Sequence, residues 1–188
     1  MRKANYSDKP LVVDILARSF NDNKSVNYIV VQDNKREVRL KKLMAYSFEI
    51  CYRYGKIFLT DDKKGCALIL LPDKKQATVY SMYLDLMLIF QVIGLKNIRK
   101  VVTRESKIKQ LQLKEHAYYL WFIGVDPDAQ HKGVGSSLLN DLIKEAKSVQ
   151  RRIYLETSTL KNIPWYEKFG FSLYNRLNLG YEIFFLKN

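Results

Sequence analysis

Hydrophobic positions recur along this chain with two periods, one typical of helices and one typical of strands. In the N-terminal third the helical period dominates, and it predicts helices over residues 8–20 and 35–53. Gly55 marks the end of the second helix, because glycine tolerates the backbone conformation found at helix C-termini. A short strand is predicted at residues 2–6, whereas residues 21–34 are polar and broken and predict no regular element.

The middle of the chain predicts a β-hairpin followed by two helices. Residues 56–60 and 66–71 are apolar runs on either side of a turn at residues 61–65, an arrangement typical of two antiparallel strands. Residues 78–114 then predict two helical segments around Gly94, the first very apolar and the second basic.

The C-terminal third predicts a mixed sheet. Residues 118–125 are a continuous apolar and aromatic run that ends at Asp126-Pro127, which indicates a buried strand. An apolar helix face follows, made by Val134, Leu138, Leu139, Leu142, Ile143 and Ala146. A strand, a short helix and two antiparallel strands are then predicted at residues 152–157, 164–169, 171–176 and 181–186. This order predicts an α/β fold of the mixed-sheet (α+β) kind, in one domain over residues 1–188, since no linker or repeat divides the chain.

Composition narrows the class of protein. Hydrophobic residues make up 47% of the chain and charged residues 27%, which is ordinary for a globular domain. Cys51 and Cys66 lie in apolar contexts without metal-binding spacing, so we expect buried free thiols in a reducing compartment. The N-terminus has no apolar signal region, and the apolar run at residues 82–94 is too short to span a membrane. A cytoplasmic location and no membrane partner are therefore expected.

The formal net charge of +13 raises the question of a nucleic-acid partner. The excess positive charge is spread over several segments, residues 96–114 among them, and no recognisable nucleic-acid-binding motif accompanies it. Nucleic acid is therefore not the expected partner, although a basic helix at residues 96–114 that binds it would give a steeply salt-dependent affinity. Part of the charge is also suited to holding a polyanionic ligand.

The loop between the strand at residues 118–125 and the following helix predicts an anion site. Gly133 and Gly135 let the backbone approach a ligand, and the first turn of a helix offers unpaired N–H groups at the positive end of its dipole. A pyrophosphate suits this arrangement. A Rossmann dinucleotide site could also claim these glycines and Glu156, about 20 positions further on. That alternative is rejected, because Leu138 replaces the third glycine and the loop after Val125 is too long.

Two blocks of residues carry a resemblance to a known family. Gln130-x-x-Gly133-x-Gly135, after a strand that ends Val125-x-Pro127, resembles the acetyl-CoA signature of the GCN5-related N-acetyltransferases (GNAT). Residues 155–158 (LETS) and 162–171 (NIPWYEKFGF) resemble the final strand–helix–strand of the same superfamily, and are similar to the corresponding run of puromycin N-acetyltransferase.

The resemblance implies a fold and an activity. The fold is a central mixed, mostly antiparallel sheet flanked by helices, in which residues 78–114 are a helical insertion before the cofactor strand. The activity is transfer of acetyl from acetyl-CoA, with no metal, to a primary amine of an unidentified small molecule, by direct attack in a ternary complex. Subunits of the superfamily commonly pair through the final strands, so a homodimer is an open expectation.

The resemblance also implies roles for cofactor-binding residues. A bulge or splay in the cofactor strand would present the backbone of Ile123, Gly124 and Val125 to pantetheine, with Gly124 tolerating the bulge. Asn162 would cap the last helix and bind the cofactor. The phosphates would be held by the loop residues Gln130, His131, Lys132, Gly133, Val134, Gly135 and Ser136, among which His131 is expected to be a solvated loop residue rather than a base.

Tyr166 is the candidate general acid, because a phenol close to the CoA sulfur can protonate the departing thiolate. The general base is less clear, since residues 118–125 contain no carboxylate where many members of the family carry a glutamate. Glu156 at the end of the next strand is the best substitute, and it could equally be a structural hydrogen-bonding residue. The missing carboxylate also motivates an alternative function, a catalytically weak CoA-binding sensor or interaction module.

Overall fold

A computed structural model, which describes residues 1–113 and 116–188, shows one mixed sheet of seven strands. The strands lie in the order β1-β2-β3-β4-β5-β7-β6, and every neighbouring pair is antiparallel except β4 and β5. The mixed, mostly antiparallel sheet predicted from the sequence is therefore confirmed. The strands are β1 (Arg2–Lys3), β2 (Gly55–Leu59), β3 (Gly65–Leu70), β4 (Ala117–Val125), β5 (Arg152–Thr157), β6 (Ser172–Asn178) and β7 (Glu182–Lys187).

Helices cover both faces of the sheet and form a separate hydrophobic core on each. One core includes apolar side chains of α1, α3 and α4, and the other those of α6 and α7. The predicted single domain is not tested by these observations and stays a prediction, although all seven strands share one sheet. The helices are α1 (Lys9–Ser19), α2 (Lys24–Ile29), α3 (Arg36–Tyr54), α4 (Val79–Leu88), α5 (Ile98–Leu111), α6 (Val134–Ser148) and α7 (Ile163–Glu167).

Helix α2 lies within residues 21–34, where the sequence predicted no element, and that prediction was wrong. The Asn23 side chain accepts a hydrogen bond from Val26 N at 3.1 Å and so caps the first turn. Val26 is the one buried residue of this helix. A helix with so small an apolar face depends on its cap and its neighbours, which periodicity does not reveal.

The first predicted strand is shorter than expected. It ends at Lys3 because Asn5 begins a single 3₁₀ turn, Tyr6–Asp8, ahead of α1. The Asp8 carboxylate accepts from Asn5 N at 2.7 Å and from the Arg2 guanidinium at 2.8 Å, rather than capping α1. These bonds lower the pKa of Asp8 to about 2. The two cysteines are buried free thiols, as predicted.

The predicted insertion at residues 78–114 is helical, and its last residue, Lys114, lies outside the described residues. Helix α4 continues into a π-helical turn, Ile89–Ile93, and Gly94 at φ 71° then redirects the chain through a 3₁₀ turn, Leu95–Asn97, into α5. No single described helix is long and apolar enough to cross a membrane. The pair Val79–Ile93 and Leu95–Leu111 has the length and composition together, but it is bent by 101°.

The two parallel strands at the centre of the sheet pair over only part of their length. The pairing joins Ala117–Leu120 of β4 to Arg152–Leu155 of β5. Beyond these residues β4 continues to Val125 beside β3, while β5 continues to Thr157 beside β7. The central strands therefore separate, and a gap opens in the sheet at their C-terminal ends.

Candidate active site

A cavity of about 760 Å³ lies at the gap between β4 and β5. It is bounded by the end of β4, the loop that leads into α6, the end of α1 with the residues after it, and the start of α7. Its lining residues are Arg18, Ser19, Phe20, Asp22, Asn23, Ile123, Val125, Pro127, Gln130, His131, Gly133, Gly135, Ser136, Thr159, Lys161, Asn162, Trp165 and Tyr166.

The backbone of β4 presents polar groups to this gap. Asp126 N donates to Lys64 O at 2.8 Å, which identifies this pair as hydrogen-bonded in the ladder with β3. In an antiparallel ladder hydrogen-bonded pairs alternate with non-hydrogen-bonded pairs. The amides and carbonyls of Ile123 and Val125 therefore point away from β3 and into the gap. The Val125 carbonyl accepts from Gln130 Nε2 at 3.2 Å, which ties the loop to the strand.

The bulge in β4 is at Trp121, not at Gly124. The register with β3 shifts between the pairs Leu68–Phe122 and Ile69–Leu120, which leaves Trp121 as the extra residue. Gly124 pairs regularly with Cys66. A glycine is needed at position 124 for a different reason: a Cβ there would lie only 2.8 Å from Leu16 Cδ2 of α1.

The loop ahead of α6 turns sharply to present the helix N-terminus. His131 and Gly133 both have positive φ, 61° and 83°, and a Cβ on Gly133 would meet no atom within 4 Å. Val134, Gly135 and Ser136 open the helix, and within the described residues their N–H groups have no backbone acceptor. These amides and the unobstructed glycine fit a bound phosphate.

Helix α7 packs against the N-terminus of α6 and forms part of the cavity wall. Trp165 Nε1 donates to Ser136 Oγ at 3.1 Å, and a Cβ on Gly135 would lie 3.7 Å from the Trp165 ring. This contact sets the distance between α6 and α7, and therefore the width of the cavity.

The charged residues around the cavity differ in the groups that they contact. Arg18 donates to Asp126 at 3.0 Å and to Asp128 at 2.8 Å, so its guanidinium braces the loop. Lys132 Nζ donates to the Asp128 carbonyl at 2.8 Å and does not line the cavity. Asp22 is the one carboxylate among the described lining residues.

Tyr166 lies in the cavity wall with a protonated hydroxyl. Its side chain is packed between Trp165 and Phe171, with ring centroids at 4.7 and 5.6 Å. Burial raises the pKa of the Tyr166 phenol above its usual range. The hydroxyl has no hydrogen-bond partner among the residues that the structure describes. A phenol in this state can donate its proton to a group in the cavity.

Asn162 also lines the cavity, but it does not cap α7 through its side chain. The predicted cap was wrong because Asn162 ends a 3₁₀ turn with helical angles, φ −85° and ψ −16°, rather than the extended conformation of a capping residue. The Asn162 amide is therefore available to a ligand.

Glu156 is placed outside the cavity lining. Its carboxylate accepts from Gln112 Nε2 at 2.8 Å and from Tyr119 Oη at 3.1 Å. Burial raises the pKa of Glu156 to about 7, against the opposing effects of Gln112 and Arg104. The predicted role as general base stays a prediction, and it requires water between this carboxylate and the acceptor.

The structure brings most of the predicted site residues to one cavity. Ile123, Val125 and Tyr166 meet there with six others, namely Gln130, His131, Gly133, Gly135, Ser136 and Asn162. The predicted residues that do not line it are Gly124, Lys132, Val134 and Glu156.

Sequence reasoning missed the contribution of α1 and the residues after it. Arg18, Phe20, Asp22 and Asn23 all line the cavity. The polar segment after α1 could have predicted this contribution, because binding residues often lie in polar segments between regular elements. Within the described ranges, no group of three or more His, Cys, Asp or Glu side chains could hold a metal ion.

Comparisons with known proteins give two sequence matches. A model of the acetyltransferase (GNAT) family matches residues 91–171. An uncharacterised N-acetyltransferase of Schizosaccharomyces pombe is 28% identical over 168 residues, which are 83% of this chain and 67% of that protein. These two matches support an acetyltransferase of the GNAT superfamily. The narrower likeness to puromycin N-acetyltransferase stays a prediction.

Solved structures establish the fold. A structure of histone acetyltransferase HPA2 and related acetyltransferase from Corynebacterium glutamicum has a TM-score of 0.74 at 22% identity, and the match covers 99% of this chain and 93% of that one. The ribosomal-protein-S18-alanine N-acetyltransferase of Escherichia coli gives a TM-score of 0.55 at 17% identity, with 99% and 90% coverage. The predicted GNAT-like fold is confirmed.

Proposed function

We propose that this protein is an N-acetyltransferase that moves the acetyl group of acetyl-CoA to a primary amine of a small-molecule acceptor. The observation that carries the proposal is the gap between β4 and β5, which has backbone groups of β4 that pair with no other strand on one side and Tyr166 on the other. GNAT-type acetyltransferase function is supported by the family model and the S. pombe relative. The donor, the acceptor and the roles of the residues are proposed here.

The residues present fit an extended anionic thioester. The unpaired amides of Val134, Gly135 and Ser136 suit the pyrophosphate, and the Ile123 and Val125 backbone groups suit the amides of a pantetheine chain. When bound, acetyl-CoA supplies the activated acetyl thioester. Asn162 is positioned to donate to the same ligand, because its amide is not engaged at the helix end.

Tyr166 is the proposed general acid. The acceptor nitrogen forms a bond to the acetyl carbon, the carbon–sulfur bond breaks, and the sulfur leaves with the electron pair. Tyr166 then gives its proton to that thiolate and regains one from solvent. Its raised pKa keeps the phenol protonated at neutral pH, so the acid form is always the one available.

The acceptor amine must lose a proton in the same reaction. Glu156 is the proposed destination, through water, because its pKa of about 7 suits a base at neutral pH. Asp22 is the competing carboxylate, since it lines the cavity and Glu156 does not. Glu156→Gln and Asp22→Asn assayed side by side distinguish the two, because only the variant that removes the base should lose turnover at every acceptor concentration.

The test is acetyl-CoA binding by calorimetry together with thiol release against a panel of small amines. Tyr166→Phe should retain acetyl-CoA binding and lose about 10²–10⁴-fold in turnover, the range that general acid–base catalysis supplies. Tyr54→Phe is the matched control, because the Tyr54 hydroxyl bonds Thr78 at 3.0 Å, away from the cavity. Turnover that survives in Tyr166→Phe would contradict the acid role, and absence of acetyl-CoA binding would contradict the proposed function itself.

A catalytically weak CoA-binding sensor is the second candidate. The position of Glu156 outside the cavity favours it, because a binder needs no base at the acceptor. The same assay separates the two functions. Tight acetyl-CoA binding without thiol release for any amine, in both wild type and Tyr166→Phe, is the result expected of a sensor.

A further inference from the structure

The outer face of the insertion is a stripe of exposed apolar side chains. Val79, Met82, Tyr83, Leu86 and Phe90 are each more than half exposed, from 51% for Leu86 to 86% for Val79. Their spacing places them on one side of α4 and the π-helical turn after it. Beyond the bend, Leu95 and Val102 are exposed at 64% and 60%. A contiguous exposed apolar stripe of this kind marks an interaction surface.

The stripe is held firmly rather than exposed by fraying. A reciprocal cap fixes the start of α4, because Ser81 N donates to Thr78 Oγ1 at 3.1 Å and Thr78 N donates to Ser81 Oγ at 2.9 Å. The opposite face packs against the core through Leu84 and Leu88. Asp85, the one charged residue of α4, is exposed, and its carboxylate accepts a hydrogen bond from Tyr46 Oη of α3 at 2.7 Å.

Cations surround the stripe at both ends. Residues 74–113 contain eight lysines and arginines against two acidic residues, Asp85 and Glu105. Exposed cations lie before α4 at Lys74 and Lys75, and after the π-helical turn at Lys96, Arg99, Lys100, Lys107 and Lys109. The surface that this region fits is therefore apolar at its centre and negative at its edges.

We propose that this stripe docks the protein onto an anionic lipid bilayer, with α4 lying in the plane of the surface. Apolar and aromatic side chains on one helix face enter the boundary between headgroups and acyl chains, and the neighbouring cations attract anionic headgroups. A second copy of the chain fits less well, because it brings a net charge of +13 against another +13 and sets the same cations face to face. The inference goes beyond the proposed function and does not depend on it.

This docking differs from a membrane span. The sequence excludes a span at residues 82–94, and the helices on either side of Gly94 are bent by 101°, so they do not form one rod. The expectation of no membrane partner, drawn from the absence of a span, does not extend to surface docking by α4.

The test uses the full-length protein and vesicles of phosphatidylcholine with or without phosphatidylglycerol. Wild type should sediment with the phosphatidylglycerol vesicles and not with phosphatidylcholine alone, and salt should weaken the association. Phe90→Glu should reduce the bound fraction by about tenfold or more, since it places a charge in the apolar stripe. Val149→Glu is the matched control, because Val149 is an exposed apolar residue at the end of α6, on the other face of the sheet.

A Phe90→Trp reporter keeps the test independent of folding losses. Its emission should shift to shorter wavelength with phosphatidylglycerol vesicles and stay unchanged with polyglutamate, a soluble polyanion. Three results would overturn the proposal: vesicle binding that Phe90→Glu does not reduce, an equal response to polyglutamate, or a lipid-free dimer that Phe90→Glu dissociates. The first two would assign binding to charge alone, and the third would make the stripe a subunit interface.

Discussion

Burial raises the pKa of two side chains near the centre of the sheet, and the two shifts have opposite chemical consequences. Tyr166 keeps its proton at neutral pH and stays an acid. Glu156, with a pKa of about 7, is divided between its neutral and charged forms at neutral pH. Small changes of pH therefore alter Glu156 and leave Tyr166 unchanged.

The titration of Glu156 should appear in the pH dependence of the reaction. In wild type, kcat/KM should rise as pH increases through about 7, because the base form of Glu156 appears there. Glu156→Gln should lower kcat/KM and lose that rise. The measurement is thiol release across pH 5.5–8.5, and a variant that keeps the same profile would assign the titration to another group.

The same shift has a consequence for stability. The folded pKa of Glu156 lies above its unfolded value of 4.5, so its stabilising contribution is full below pH 4.5 and is lost as pH rises through about 7. Glu156→Gln stays neutral and should therefore gain in Tm relative to wild type at pH 8 compared with pH 5. Glu182→Gln, at the exposed first residue of β7, is the control, and an equal gain in that variant would assign the effect to the loss of one negative charge rather than to Glu156.

At the scale of elements, the junction of β4 and α6 depends on one left-handed glycine. Gly133→Ala should destabilise the fold by about 1–2 kcal/mol, since φ 83° strains any residue with a Cβ while no atom lies close enough to clash. It should also weaken acetyl-CoA binding, because the strained turn carries the amides at the start of α6. Thermal unfolding and calorimetry measure the two effects.

Gly180 provides a matched control for that prediction. It has φ 84°, equally open surroundings and a place in the β6–β7 turn away from the cavity. Gly180→Ala should show a similar loss of stability with unchanged acetyl-CoA binding. Equal binding losses in both variants would mean that the Gly133 effect is general destabilisation.

Sequence patterns correctly predicted those helices and strands that are determined by their own residues. The apolar periods of α3 and α6 and the unbroken run of β4 are such elements, and the loop with Gly133 was located for the same reason. Features that depend on distant contacts were missed or misplaced. The bulge is at Trp121 because β3 shifts register there, and Gly124 is a glycine because of Leu16. The place of Glu156 depends on Gln112 of the insertion.

Across the molecule, the sheet separates two hydrophobic cores. The cavity lies at the gap in the sheet, where side chains that pack with each core contribute to its wall. Tyr166 belongs to the core with α6 and α7, whereas Phe20 packs against the core with α1 and α3. Tyr166 lies in the part of the chain whose motifs resemble the superfamily, and Phe20 lies in the N-terminal part, which carries no such motif. Under the proposed function, we expect the side of the cavity formed by the end of α1 and the residues after it to select the acceptor.

The separation of β4 from β5 also gives the molecule an alternating pattern of amide protection. Phe122 and Gly124 belong to hydrogen-bonded pairs with β3, whereas Ile123 and Val125 direct their amides into the gap. In solvent deuterium, the amides of Ile123 and Val125 should exchange faster than those of Phe122 and Gly124. Acetyl-CoA should slow the fast pair and leave the slow pair almost unchanged. Residue-resolved exchange would then report a ligand between the two halves of the sheet without any acceptor being known, and equal slowing of all four amides would show that the gap closes rather than fills.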